Sequence, residues 1–247
     1  MAALAESVRH FETHGWVVVR GVLDRDEVQA LVRAADRILP PASLSPHEPG
    51  VPQLVRPSQR DPAFAEWLAN RTAFELAARC LGDARVRALQ DALIVKPPRS
   101  AARLEWHQDA SYFGYLEPLV ACSVRLALGP CTAATGGMRV LDRSHTGGLR
   151  AAHRFGDARV DEVRPDADCP EVLIELGPGD ISLHSAYTFH ASFENDSDEP
   201  RRTVVTHVCA ERCRIATERL PPAALPYFPT LDDGRLDPSV FWPLPVP

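Results

Sequence analysis

No apolar run among the 247 residues is long enough to cross a bilayer. The apolar stretches, such as Trp16–Val19 and Leu93–Val95, are strand-sized. Secretion is not expected either, because Glu6, Arg9 and His10 stand where a signal peptide would need an apolar block. A cytoplasmic protein is therefore expected, with no membrane partner. Nor is there a basic stripe. The net charge is −6, and the 27 lysines and arginines are scattered, which argues against a nucleic-acid partner. The six cysteines include no CxxC pair, and Cys209 with Cys213 makes only a CxxxC at a probable strand end. A structural zinc site normally needs tighter pairs, so buried free thiols in a reducing compartment are expected. No internal repeat or low-complexity tract is visible.

What is present is 45% hydrophobic residues, ample for a packed core, and two proline-rich stretches at 40–62 and 220–247. Those stretches read as loops or covers rather than regular elements. The first eighty residues read as helices around one strand. Ala2–His14 is helix-compatible, Gly15 is placed to stop it, and Trp16–Arg20 is β-rich. Asp24 and Glu27 have capping-box spacing for a helix running to Leu39. Asp61-Pro62 opens another helix, and Thr72 with Glu75 repeats the capping spacing before a helix closed by Gly82.

From residue 84 onward short β-like runs follow one another, at 86–95, 120–128, 138–141, 172–176, 181–184 and 203–209. Gly136-Gly137, Gly147-Gly148 and Gly177-Pro-Gly179 separate them, as in an all-β sandwich or barrel. The expectation is a mainly β protein with flanking α-helices, forming one domain over 1–247. Its helical layer spans about 1–83, the β core about 84–212 and a C-terminal cover 213–247.

His107-Gln108-Asp109 is the sharpest local signal. In extended chain, residues two apart project to one side, so an imidazole and a carboxylate can meet one metal ion. One more histidine would complete a facial triad typical of non-haem iron(II), leaving positions open for a 2-oxo acid and dioxygen. Downstream lie His145, His153, His184, His190 and His207. His190 is selected because Ser192 follows it and Arg201 lies eleven residues on, across a turn and before a strand at Thr203–Val208. An arginine fork there can grip the distal carboxylate of 2-oxoglutarate, and Ser192 can donate a hydroxyl to it. His184 is the rival, seventeen residues before Arg201, while His145 and His207 read as structural.

With these residues in view, the chain resembles the phytanoyl-CoA dioxygenase family. The resemblance rests on Phe11–Leu23, Leu93-Ile-Val-Lys-Pro-Pro98, His107-Gln-Asp109, Thr135–His145, and Gly179–His184 with His190, Ser192, Asn195 and Arg201. It implies a double-stranded β-helix (a cupin-like jelly roll), with iron(II) on His107, Asp109 and His190 and 2-oxoglutarate on Arg201 and Ser192. It also implies that Gln90 and Gln108 touch the co-substrate or order the metal ligands, their alternative being ordinary polar strand residues.

Three positions depart from the family pattern. Arg125 stands where many relatives carry tryptophan, and could meet the co-substrate, an anionic substrate or an ion-pair partner. Asp142-Arg143 replaces the usual Pro-Gly, which puts the local turn in question. Arg56 falls near a basic co-substrate contact of some relatives. The carboxylate of Asp109 favours hydroxylation over halogenation, since related halogenases replace it by a small residue to admit chloride.

The substrate is expected to be a small molecule, walled by the 43–60 loop, Tyr112, Phe113, Tyr115 and the aromatics Tyr227, Phe228, Phe241 and Trp242, which could equally be packing residues. Two other readings stand beside the oxygenase. One is a non-catalytic jelly-roll binding protein; the other is a cupin-like metal enzyme that uses no 2-oxo acid.

Overall fold

The computed structural model describes residues 2–40, 43–47, 50–150, 168–220, 222–223, 225–241 and 244. Helix α1 (Ala2–His14) stops at Gly15, which takes φ +80°. A Cβ at Gly15 would also lie 2.4 Å from the His145 ring, so both conformation and space call for glycine. Strand β1 (Trp16–Val19) follows, then α2 (Arg25–Ile38). The expected capping box closes in both directions: Asp24 Oδ1 accepts from the amides of Asp26 and Glu27, and Glu27 accepts from the Asp24 amide.

The proline-rich stretch is more regular than its composition suggests. It contains β2 (Gln53–Val55), an edge strand of three residues, followed by a 3-10 turn at Pro57–Gln59. Helix α3 (Pro62–Trp67) is capped by Asp61 as expected. Helix α4 (Arg71–Cys80) is not capped by Thr72. Asn70, one residue upstream of the helix, accepts from the Ala73 amide instead. An Asn side chain serves as an N-cap as well as threonine does, and the register of the buried Ala73, Phe74 and Ala77 decides between them.

Nine further strands build the β part: β3 (Val86–Lys96), β4 (Leu104–His107), β5 (Leu116–Glu117), β6 (Ala121–Ala127), β7 (Met138–Leu141), β8 (Glu171–Ile174), β9 (Ile181–Ser185), β10 (His190–Ser192) and β11 (Arg201–Ala210). A short β12 (Arg214–Ile215) pairs with β5, so the C-terminal cover is tied to the core. The main sheet has the order β1-β9-β6-β11-β3-β2 and the smaller one β4-β10-β7-β8, both antiparallel. This is the jelly roll.

The strands of the main sheet alternate apolar residues toward the helices with polar ones toward the smaller sheet. Leu183, Val124, Val204 and Leu93 join Phe64, Phe74 and Trp67 of the helices in the larger core cluster. Each such side chain contributes about 1.5–3 kcal/mol when fully buried, so the helical layer holds the main sheet flat against one face. The opposite face is left free to carry chemistry. At the expected irregular turn, Arg143 adopts φ +63°, the conformation a glycine would take, and its amide donates to the His14 carbonyl. Asp142 accepts there from His14 Nδ1 and Trp16 Nε1, which ties the turn to β1. Among the described residues no helix is long and apolar enough to cross a membrane.

Candidate metal centre

Strand register arranges the inner face of the main sheet in rows, because directly paired residues project to the same side. One row runs His184, Ser123, His207 and Gln90 across β9, β6, β11 and β3. Two residues along lies a second row of Ser182, Arg125, Val205 and Ala92. Farther along the same direction come Thr203 with Ile94, then Arg201 with Lys96. Facing these rows, the smaller sheet pairs His190 of β10 directly with His107 of β4, their ring centroids 4.1 Å apart.

His107, Asp109 and His190 are all buried and can direct one ligand atom each to a common point. Asp109 Oδ1 lies 3.7 Å from His107 Nε2 and 3.6 Å from His190 Nε2. Both rings are oriented from behind, His107 Nδ1 by the Glu105 carbonyl at 2.7 Å and His190 Nδ1 by the Thr188 carbonyl at 3.1 Å. Those bonds leave each Nε2 lone pair aimed at the same space, the usual orientation of metal-binding imidazoles. Burial, then the neighbouring His184, brings His190 down to about 4. Burial alone would raise Asp109, but His190 and the His184 hydrogen bond outweigh it and hold the carboxyl well below its usual range. A neutral imidazole beside an ionised carboxylate is the protonation state that a metal requires.

The second oxygen of Asp109 is fully engaged by the main sheet. Ser123 Oγ donates to Oδ2 at 2.5 Å and His184 Nε2 donates to it at 3.1 Å. His184 thus stands outside the trio and bonds to the other oxygen of its carboxylate. Since the Ser123 hydroxyl gives its proton to Asp109, its oxygen accepts from His207 Nδ1 at 2.8 Å. His207 therefore reads as part of the outer network rather than a plain strand residue. Replacing Ser123 by alanine should lower iron(II) affinity by about 10- to 100-fold with the fold intact, as loss of such outer contacts does elsewhere. Competition with a chromogenic chelator measures it, and an unchanged affinity would show the bond to be idle.

A cavity of about 900 Å³ opens on the trio. Arg201, Ser192, Arg125 and Gln90 line it; in register Gln90 belongs to the row of Ser123 and His207, and Arg125 and Arg201 lie farther along in one direction. Arg201 Nη1 donates to the Gly136 carbonyl, while its Nε has no acceptor among the described residues. That carbonyl is brought close because Gly136, at φ +70°, sits where a Cβ would lie 2.4 Å from the Phe193 carbonyl oxygen. Burial, then the charge of Arg125, lowers the Arg201 guanidinium to about 9, still charged at neutral pH.

Tyr112, Phe113 and Arg56 also line the cavity, with Tyr115, Phe228, Phe241 and the Gly50–Arg56 part of the proline-rich loop. Trp242 and the side chain of Tyr227 lie outside the described residues. Gln108 does not face the cavity. Its amide donates to the carbonyls of Gly148 and Tyr187 and accepts from the Arg150 amide, which fastens the loop after β7 behind the metal ligands. Ser123, His184 and His207 had no local sequence signal for their role, since only strand register brings them to Asp109.

The phytanoyl-CoA dioxygenase (PhyH) family profile matches residues 11–203. The chain belongs to that family. Phytanoyl-CoA dioxygenase 1 of Oryza sativa subsp. japonica is 29% identical over 150 residues, covering 57% of this chain and 53% of the rice protein. The chain thus spans about half the length of the curated relative it matches. Three solved structures share the fold. The non-haem α-ketoglutarate-dependent carbocyclase SnoK from nogalamycin biosynthesis has TM-score 0.75 and 22% identity, with 97% of this chain and 96% of that one covered. The epimerase SnoN from the same biosynthesis has TM-score 0.74 and 20% identity, covering 97% and 98%. EctD from S. alaskensis, solved with 2-oxoglutarate and 5-hydroxyectoine, has TM-score 0.68 and 22% identity, covering 85% and 77%. The donor set and the buried guanidinium opposite it fit iron(II) and 2-oxoglutarate in this PhyH-family chain.

Proposed function

We propose that this protein is an iron(II)- and 2-oxoglutarate-dependent dioxygenase that hydroxylates, or otherwise oxidises, an unactivated C–H bond of a small organic molecule. One juxtaposition carries the reading: a buried His-Asp-His trio and a buried arginine with no carboxylate partner among the described residues share one cavity. For hydroxylation the substrate, dioxygen and 2-oxoglutarate give the alcohol, succinate and carbon dioxide. Iron and the 2-oxo acid supply the oxidising power when bound.

The chain's own residues do the positioning. His107, Asp109 and His190 hold the metal on one face, and Ser123 with His184 keeps Asp109 turned toward it. Arg201, assisted by the Ser192 hydroxyl, holds the distal carboxylate, which sets the direction of the 2-oxo acid. Phe113, Tyr115, Phe228 and Phe241 form an apolar wall that keeps water from the reacting bond. A cavity of this size accepts a multi-ring or similarly bulky metabolite. The SnoK, SnoN and EctD likenesses support an oxidation in small-molecule biosynthesis. The buried, unbridged Cys122, Cys131, Cys209 and Cys213 support a reducing, cytoplasmic setting.

Iron(II) and then 2-oxoglutarate, added without oxygen, should give the weak visible metal-to-ligand charge-transfer band, and admitting oxygen should release succinate. Iron-loaded protein that shows neither would overturn the reading.

A further inference from the structure

Arg125 is 4% exposed and Arg201 2%, and both line the cavity. A guanidinium carries five donors and a fixed positive charge, so burial without an anion is costly. Yet Arg125 Nη1 and Arg201 Nε have no acceptor, and among the described residues neither guanidinium forms an ion pair. The bond that Arg201 does make is to the neutral Gly136 carbonyl. Two hydroxyls on the same inner face, Ser182 Oγ beside Arg125 in register and Thr203 Oγ1 one row on, are buried without partners as well. Nearby Lys96, whose amine donates to the Phe193 carbonyl, is brought down to about 6, by burial first and then by Arg201 and Arg125. Among the described residues this part of the inner face gathers two like-charged guanidiniums, both lining the cavity, and two hydroxyls beside them, a set of donors that an anion would satisfy.

Position decides which anion. Arg125 lies one row from Ser123, which touches Asp109, and on the side of Arg201. A two-residue step along a strand is about 6–7 Å. That places Arg125 beyond the metal by roughly the span of a short dicarboxylic acid, where the far carboxylate of a metal-chelating 2-oxo acid would lie. The aromatic groups gather toward the other end. Phe113 packs edge-on to the His207 ring, Tyr115 on Phe228, and the Phe241 carbonyl accepts from Arg87 near the start of β3. A substrate held by that wall meets the metal before it meets Arg125.

We propose that Arg125 is a second anchor for the co-substrate, gripping the same distal carboxylate as Arg201, with Ser182 and Thr203 as supporting donors. This rests on the iron and 2-oxoglutarate reading above. The test titrates 2-oxoglutarate into anaerobic, iron(II)-loaded full-length protein, following the charge-transfer band and the ligand-induced rise in Tm. Arg125→Met should raise the Kd for 2-oxoglutarate by about 10- to 100-fold, the usual weight of a charged hydrogen bond, with iron affinity unchanged. It should also raise Tm without 2-oxoglutarate, by removing one of two repelling cations, while shrinking the rise that the ligand induces. A double cycle with Arg201→Met should show strong coupling, since both forks hold one group.

A Kd within about twofold of wild type, where the wild type shows the band, would overturn the proposal and leave Arg125 to the substrate. If Arg125→Met fails to fold, Arg125→Lys decides. It keeps the charge but loses the fork, and unweakened 2-oxoglutarate binding would overturn the proposal equally. Iron-loaded wild type with no band would instead reject the co-substrate reading itself.

Discussion

Iron(II) and 2-oxoglutarate added anaerobically to a His190→Ala variant should give no charge-transfer band, whereas His184→Ala should retain it at reduced iron affinity. The asymmetry follows from two distances. His190 Nε2 faces Asp109 Oδ1, the oxygen that also faces His107, while His184 Nε2 donates to the opposite oxygen, Oδ2. Removing His190 leaves two protein ligands on a site that needs three. Removing His184 leaves Ser123 still holding Oδ2 at 2.5 Å, so a loss within about 10- to 100-fold of iron affinity is expected. Succinate release should be undetectable in the first variant and measurable at high iron in the second. A band retained in His190→Ala and lost in His184→Ala would exchange their roles.

Arg201→Ala should leave iron binding near normal and raise the Kd for 2-oxoglutarate far more than any substitution in the aromatic wall. Truncating one partner of a buried charge pair costs about 2–5 kcal/mol, corresponding to a loss of about thirtyfold to several thousandfold. The guanidinium is held by the Gly136 carbonyl and by its own burial, so its position does not depend on the metal ligands. Arg201→Lys should restore little, because an ammonium cannot reproduce the planar fork. Isothermal titration of 2-oxoglutarate into iron(II)-loaded protein without oxygen gives both affinities. Unchanged binding in Arg201→Ala would remove this residue from the co-substrate site.

Much of this protein was determined locally, by the sequence alone. The capping box at Asp24 and Glu27, the stop at Gly15 and the strand runs around 86–96 and 201–210 depend on neighbours within a few residues, so period and turn chemistry expose them. His107 and Asp109 are equally local: two positions apart in extended chain, they must face one way. Even short range has limits, since Thr72 and Asn70 both suit a helix start and only the packed face of α4 separates them.

Tertiary structure decided everything that depends on which strands become neighbours. Strand β10 has only three residues and no alternation to announce it, and its pairing with β4 places His190 beside His107. The bonding of Ser123 and His184 to Asp109, and the placing of Arg125 between the metal and Arg201, depend on register across β9, β6, β11 and β3. Those strands are far apart in the chain, and the side chains that meet there carry no mark of it in their own surroundings. Local spacing settles which way a residue points; long-range pairing settles what it points at.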